Sequence, residues 1–143
     1  LLALTFHNAD HGFRCPKRRA IRTWVHALTA QYGKEPGALS VVFCSDNYLL
    51  QMNKEHLSHD YFTDIITFDY TDGNQISGDL FLSIDRIRDN AKSHNTLFFN
   101  ELIRVIAHGH LHLIGYKDKV KSDQAEMRLH EDRWIAAFES YDA

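Results

Sequence analysis

The sequence predicts an α+β fold: a small mixed β-sheet of about four strands packed with about five helices. Three observations lead there. Short runs of branched and aromatic residues, bounded by polar turn formers, read as strands, and longer stretches with apolar residues at three- and four-residue steps read as helices. The composition, 143 residues that are 44% hydrophobic and 24% charged, suits one well-packed core. With two Pro, seven Gly and no Ser-rich or Pro-rich stretch there is no sign of a linker or repeat, so residues 1–143 are expected to form a single domain.

The elements follow in order. Residues 1–6 are apolar and short, an opening strand. From residue 16 to about 32, Ile21, Trp24, Val25 and Leu28 recur at helical spacing, and Gly33 is a natural stop. Residues 39–44 are strand formers, after which Ser45 or Asp46 caps a helix from about 47 to 56. Residues 59–69 turn from polar loop into strand, 71–74 make a turn, and 77–83 supply the partner of a hairpin. Helices over 84–94, 97–114 and 122–138 complete the chain. Met127, Trp134 and Phe138 form a core-facing stripe on the last, and Leu102, Ile103, Val105, Ile106 and Leu113 make the helix over 97–114 the central one.

No apolar run approaches the ~20 residues needed to cross a bilayer, and no secretory leader is visible, so a cytoplasmic protein without a membrane partner is expected. Cys15 and Cys44 cannot build a disulfide framework and are expected as free thiols in or near the core. The formal net charge of -3 does not announce a nucleic-acid binder. Arg14, Lys17, Arg18, Arg19 and Arg22 nevertheless form a dense basic cluster that could attract phosphate, although charge alone points first to a solvated helix face.

The chemistry concentrates in one run, His108-Gly-His-Leu-His112-Leu-Ile-Gly115-Tyr-Lys-Asp118. Histidines four residues apart project from one helix face, so two imidazoles can close on one small cation. Gly115 can end the helix in a left-handed conformation, and the chain can fold back so that Asp118 reaches the same ion. Two nitrogens and a carboxylate suit zinc, and three protein ligands leave a fourth position for water or substrate. The spacing is that of a metalloprotease zinc helix, but Gly109 stands where such enzymes keep the glutamate that serves as general base. Glu101, Arg104, His108 and His112 share one helix stripe. Arg104 is expected to pair with Glu101 or to hold an anionic substrate near the metal. His110 points to the opposite side, structural or exposed.

The metal run resembles the signature of the YbeY family of rRNA maturation endoribonucleases, through His108, Gly109, Leu111, His112, Leu113, Gly115 and Tyr116. Asn53, Asp60, Thr63, Asp64, Ile65 and Phe68 are similar to a second family segment, and Gly78-Asp79-Leu80 to a third. The resemblance implies a zinc-dependent, single-strand-preferring endoribonuclease of the bacterial cytoplasm. It would act on precursor RNA at the 3′ end of 16S rRNA and in ribosome quality control, with the small ribosomal subunit as partner, one zinc ion and no organic cofactor. His108, His112 and Asp118 would then be the metal ligands, with His108, His112 and Arg104 the catalytic candidates. Arg14, Lys17, Arg18, Arg19 and Arg22 would be the candidate RNA contacts.

Two positions depart from the family pattern. Asp118 stands where the third ligand is usually histidine, and Leu57 stands where many members carry an arginine. Two other functions fit the same ligand run: a zinc hydrolase of another substrate, such as a peptide, and a ribosome assembly factor whose zinc is structural.

Overall fold

A computed structural model describes residues 3–142; residues 1 and 2 of the expected first strand lie outside that range. Four strands, β1 (Ala3–Asn8), β2 (Glu35–Cys44), β3 (Ile65–Asp69) and β4 (Gln75–Ser83), form one sheet in the order β1-β2-β4-β3. β1, β2 and β4 are parallel and β3 is antiparallel to β4. The helices are α1 (Arg18–Gln31), α2 (Asp46–Leu57), α3 (Ile84–Ser93), α4 (Phe98–Ile114) and α5 (Lys121–Ala137), and a 3-10 turn closes the chain over Phe138–Tyr141. The fold is α+β, with the sheet mixed as expected.

The alternation of the strands divides the side chains between two faces. On one face Leu39, Val41, Leu80 and Leu82 join Trp24, Leu102, Ile106, Met127 and Trp134 in the main core. On the other, Cys44 and Ile66, with Phe68 and Phe81 beside them, are covered by Leu49 and Met52 of α2. Cys15 and Cys44 are buried free thiols, and burial pushes them up to about 11 and about 12.

The boundaries differ from expectation where backbone detail decides. α1 starts at Arg18 because Lys17 adopts a left-handed conformation, φ 56°. β2 begins four residues early, at Glu35, through an irregular register between Pro36 and Leu39. A Cβ on Gly37 would fall 2.6 Å from the Ile76 carbonyl oxygen, so only glycine fits there. β4 starts at Gln75 because Asp72 and Gln75 close the turn reciprocally, with Gly73 at φ 58°. Ser45 is the α2 cap, its hydroxyl accepting from the Tyr48 N–H at 3.1 Å. Phe138 leaves the last helix for the 3-10 turn but stays buried with Met127 and Trp134.

α4 is the central helix and runs against β3 and β4, which Gly109 makes possible. A Cβ at Gly109 would sit 2.6 Å from Ile65 Cδ1 and 3.0 Å from Leu80 Cδ2. Gly109 therefore faces the sheet, and no glutamate fits in its place.

Candidate metal centre

α4 places His108 and His112 one turn apart, and Gly115, at φ 128°, reverses the chain behind them. The reversal brings Asp118 back. His108 Nε2 lies 3.0 Å from His112 Nε2, and Asp118 Oδ2 lies 3.1 Å from the first and 3.2 Å from the second. Metal bonds of about 2.0–2.1 Å at tetrahedral angles set ligand atoms roughly 3.3 Å apart, so this triangle has the size a zinc-like cation requires. Among the described residues these are the side chains that converge in this way.

The outer contacts fix which nitrogen of each ring faces the centre of the triangle. His112 Nδ1 donates to the Tyr116 carbonyl at 2.9 Å, an acceptor that the Gly115 reversal itself supplies. His108 Nδ1 donates to Glu131 Oε2 at 2.6 Å. With both Nδ1 atoms committed as donors, both Nε2 lone pairs aim at the point that Asp118 Oδ2 also faces. Three convergent lone pairs repel one another unless a proton on one imidazole or a metal ion lies among them, and three donors at this spacing fit a metal. Burial pulls the His108 pKa down, but the hydrogen bond and charge of Glu131, together with Asp118 and Asp64, outweigh it and leave the pKa raised.

Glu131 comes from α5 and is 7% exposed. Its other oxygen, Oε1, accepts from Arg104 Nη1 at 2.9 Å, while Arg104 Nη2 donates to Asp132 Oδ1 at 2.8 Å. The expected Arg104 to Glu101 pair is therefore replaced by a clamp onto α5. Packing of α5 along α4 brings two carboxylates to the guanidinium, and Glu101 instead lies buried beside His94, 3.5 Å away. His110 is structural and buried. Thr29 Oγ1 donates to the Val25 carbonyl and lies 2.7 Å from His110 Nε2, and burial lowers the His110 pKa to about 4.

Two clefts meet at the centre. One, about 400 Å³, is walled by Asp64, Glu101, Arg104, Gln124, Arg128 and Glu131. The other, about 500 Å³, runs beside the edge strand β3 between Leu57, Thr63, Thr67 and Lys119. His108, Asp118 and Asp64 belong to both. Asp64 ends the loop before β3 and is held by Asn90 Nδ2 at 3.3 Å. Burial raises its carboxyl above the usual range, opposed in part by His108.

The basic cluster lies elsewhere. Arg22 Nε donates to the Leu4 carbonyl at 2.9 Å, Arg18 and Arg22 stack on Phe6 of β1, and Lys17 pairs with Asp142. Arg14 and Arg19 are exposed. β1 is the sheet edge opposite β3, roughly 14 Å away across three strand spacings. None of the five residues lines either cleft of the metal centre.

Sequence reasoning missed Glu131 and Asp64. Glu131 had a signal, since it falls on the same stripe as Met127, Trp134 and Phe138, where an acid is out of place unless it has a partner. Asp64 stands in the segment that resembled the family pattern, but its approach to His108 is tertiary.

The model of the family described as Endoribonuclease YbeY matches residues 6–139. The chain belongs to the YbeY family. It is 44% identical over 135 residues to Endoribonuclease YbeY of Parabacteroides distasonis, covering 94% of this chain and 95% of that relative. It is 47% identical over 131 residues to Endoribonuclease YbeY of Flavobacterium johnsoniae, covering 92% and 94%. In fold it is similar to the solution structure of TM1509 from Thermotoga maritima, with a TM-score of 0.66 at 18% identity over 94% of this chain and 88% of that one. Within this member of the family, Asp118 lies in the ligand triangle, and Leu57 lies on the wall of the cleft that Asp118 also lines.

Proposed function

We infer that this chain is a metal-dependent endoribonuclease that cuts single-stranded RNA in rRNA maturation. The observation that carries this reading is the triangle of His108 Nε2, His112 Nε2 and Asp118 Oδ2, open to two clefts, in a chain of the YbeY family. Zinc is the ion that two imidazoles and a carboxylate suit best, and when bound it supplies a Lewis acid and lowers the pKa of a water in the remaining position. His108, His112 and Asp118 hold it. Glu131 and the Tyr116 carbonyl keep both rings in the right tautomer and orientation.

Asp64 faces the same space from the end of the β3 loop, and burial, by raising its pKa, makes it a stronger proton acceptor than an ordinary carboxylate. Arg104 fixes Glu131 through the clamp on α5 and adds positive charge to the wall of the first cleft. Arg14, Lys17, Arg18, Arg19 and Arg22, at the far sheet edge, serve in this reading as remote contacts for a longer RNA. Precursor 16S rRNA on the small ribosomal subunit in the cytoplasm is the setting the family relationship supports. No helix of the described residues is long and apolar enough to cross a membrane.

One observation favours a second reading. β3 is an edge strand beside the metal cleft, which would let an extended peptide pair with it. Against it, Gly109 is pressed onto the sheet where a peptidase needs its base. Incubating the zinc-loaded protein with unstructured RNA and with casein tests both: RNA is cut and casein is not. Casein cleavage with intact RNA reverses the assignment. Inhibition of cleavage by a small zinc-binding anion tests for an open metal position and so against a structural zinc.

A further inference from the structure

The loop between α2 and β3 carries two aromatic residues that the fold does not use. Tyr61 and Phe62 are 56% and 47% exposed, on a loop whose two ends, Leu57 and Thr63 with Asp64, wall the second metal cleft. The loop backbone is tied down. Buried Asn53 donates through Nδ2 to the Tyr61 carbonyl at 2.9 Å and accepts at its own carbonyl from the His59 N–H at 3.0 Å. The Tyr61 ring stacks on His59 with centroids 5.1 Å apart and planes 21° from parallel, and the Arg86 guanidinium sits 5.1 Å from the centre of the Phe62 ring. The pair is held in place yet left open to solvent, so a flat ligand would meet a ready-made surface.

The chain beyond Gly115 brings positive charge to the same cleft. Lys119 lines it, and Lys117 and Lys121 are exposed two residues to either side along the chain, Lys117 on a separate pocket with Tyr32 and Tyr116. Among the described residues these three lysines make no ion pair, in contrast to Lys54, which pairs with Asp60 at 3.4 Å. Exposed rings on the loop that ends at the cleft, and an unpaired lysine in the cleft lining, are the two kinds of group that hold a single nucleic-acid strand: bases on rings, phosphates on cations. Leu57, in the arginine position, adds an apolar surface to the same wall.

We propose that Tyr61 and Phe62 form a base-stacking platform that leads single-stranded RNA into the metal cleft, where Lys119 meets its phosphates. The proposal rests on the nuclease reading above and names how that site takes its substrate. It also gives a physical reason for single-strand preference, since paired bases have no free faces to stack.

The test uses the zinc-loaded protein and unstructured oligouridylate. Trp24 and Trp134 are buried, so the indole of a Tyr61→Trp variant is the exposed one and reports stacking directly. Its emission is expected to be quenched by oligouridylate and not by duplex RNA. In Tyr61→Ala/Phe62→Ala the KM for unstructured RNA is expected to rise roughly tenfold or more per lost ring, with kcat within about twofold, whereas Tyr61→Phe keeps the original KM. Lys119→Ala should lower the slope of log affinity against log salt by about 0.7. An indole that oligouridylate does not quench, a KM unchanged in the double alanine variant, or quenching by an extended peptide instead of RNA overturns the platform. The two readings fail separately. RNA that quenches the indole but stays intact upholds the platform and rejects the nuclease, while RNA cut at unchanged KM by the double variant does the reverse.

Discussion

The two edges of the sheet carry opposite chemistry. At β1 the arginines are the densest charge in the sequence, yet two of them lie on Phe6 and one is tied to a main-chain carbonyl, so their positive charge is spread over a solvated face. At β3 fewer charges do more, because His108, His112, Asp118, Asp64 and Glu131 are drawn from three parts of the chain into one half-buried space. Charge density along a sequence marks where a protein is hydrated. Reactive chemistry needs lone pairs that converge, with neighbours that fix their direction.

The sharpest way to break this contrast is at the ligands. His112→Ala should abolish both metal binding and RNA cleavage, read by metal analysis and by digestion of an unstructured RNA; a metal-free variant that still cuts would place the chemistry elsewhere. Glu131→Gln comes next. It keeps the shape but weakens the acceptor that orients His108, so metal affinity is expected to fall roughly 10- to 100-fold by competitive titration with a chelator. Unchanged affinity would leave Glu131 with only the Arg104 clamp.

The pH dependence follows from the same pair. Glu131 helps hold the His108 pKa above its ordinary value, and a metal has to displace that proton. Apparent metal affinity should therefore fall as the pH drops through the raised pKa, and in Glu131→Gln the fall should begin at lower pH. The metal-free chain should behave in the opposite sense. A raised folded-state pKa contributes stability that is fully present below the unfolded value and is lost as the pH rises through the folded one. Thermal melts of metal-free and metal-loaded protein across pH 5 to 8 read both trends, and parallel curves would rule this coupling out. The smallest effect on cleavage belongs to the other edge: Arg18→Ala/Arg22→Ala should leave cleavage of a short RNA within about twofold, with stability lowered by about 1–3 kcal/mol through the lost Leu4 hydrogen bond and the two contacts to Phe6. A large loss of short-RNA cleavage in that variant would erase the distinction between the edges.

What the sequence made legible was what lies close along the chain. The ligand triangle spans one helix turn and the reversal at Gly115, so periodicity and one glycine were enough to bring His108, His112 and Asp118 together. The strands and helices were legible for the same reason, and their ends shifted where local backbone detail intervened, as at the left-handed Lys17, the irregular register at Gly37 and the Asp72–Gln75 turn. Arg104 shows the limit. Spacing along α4 pointed to Glu101, but the packing of α5 supplied Glu131 and Asp132 from 27 and 28 residues away. Asp64 and the second cleft depend in the same way on the β3 edge reaching α4, which Gly109 permits. His110, two residues from His108, went to the core because the far side of the helix meets Thr29.

The central claim is that Asp118 completes a metal shell with His108 and His112 and that RNA cleavage depends on that shell. Metal content and RNA cleavage measured together on the wild type, Asp118→Ala and Asp118→His test it most directly. The wild type should hold one equivalent of zinc and cut RNA, Asp118→Ala should lose both together, and Asp118→His should keep both by restoring a ligand. An Asp118→Ala protein that retains its zinc and its full cleavage rate would contradict the account.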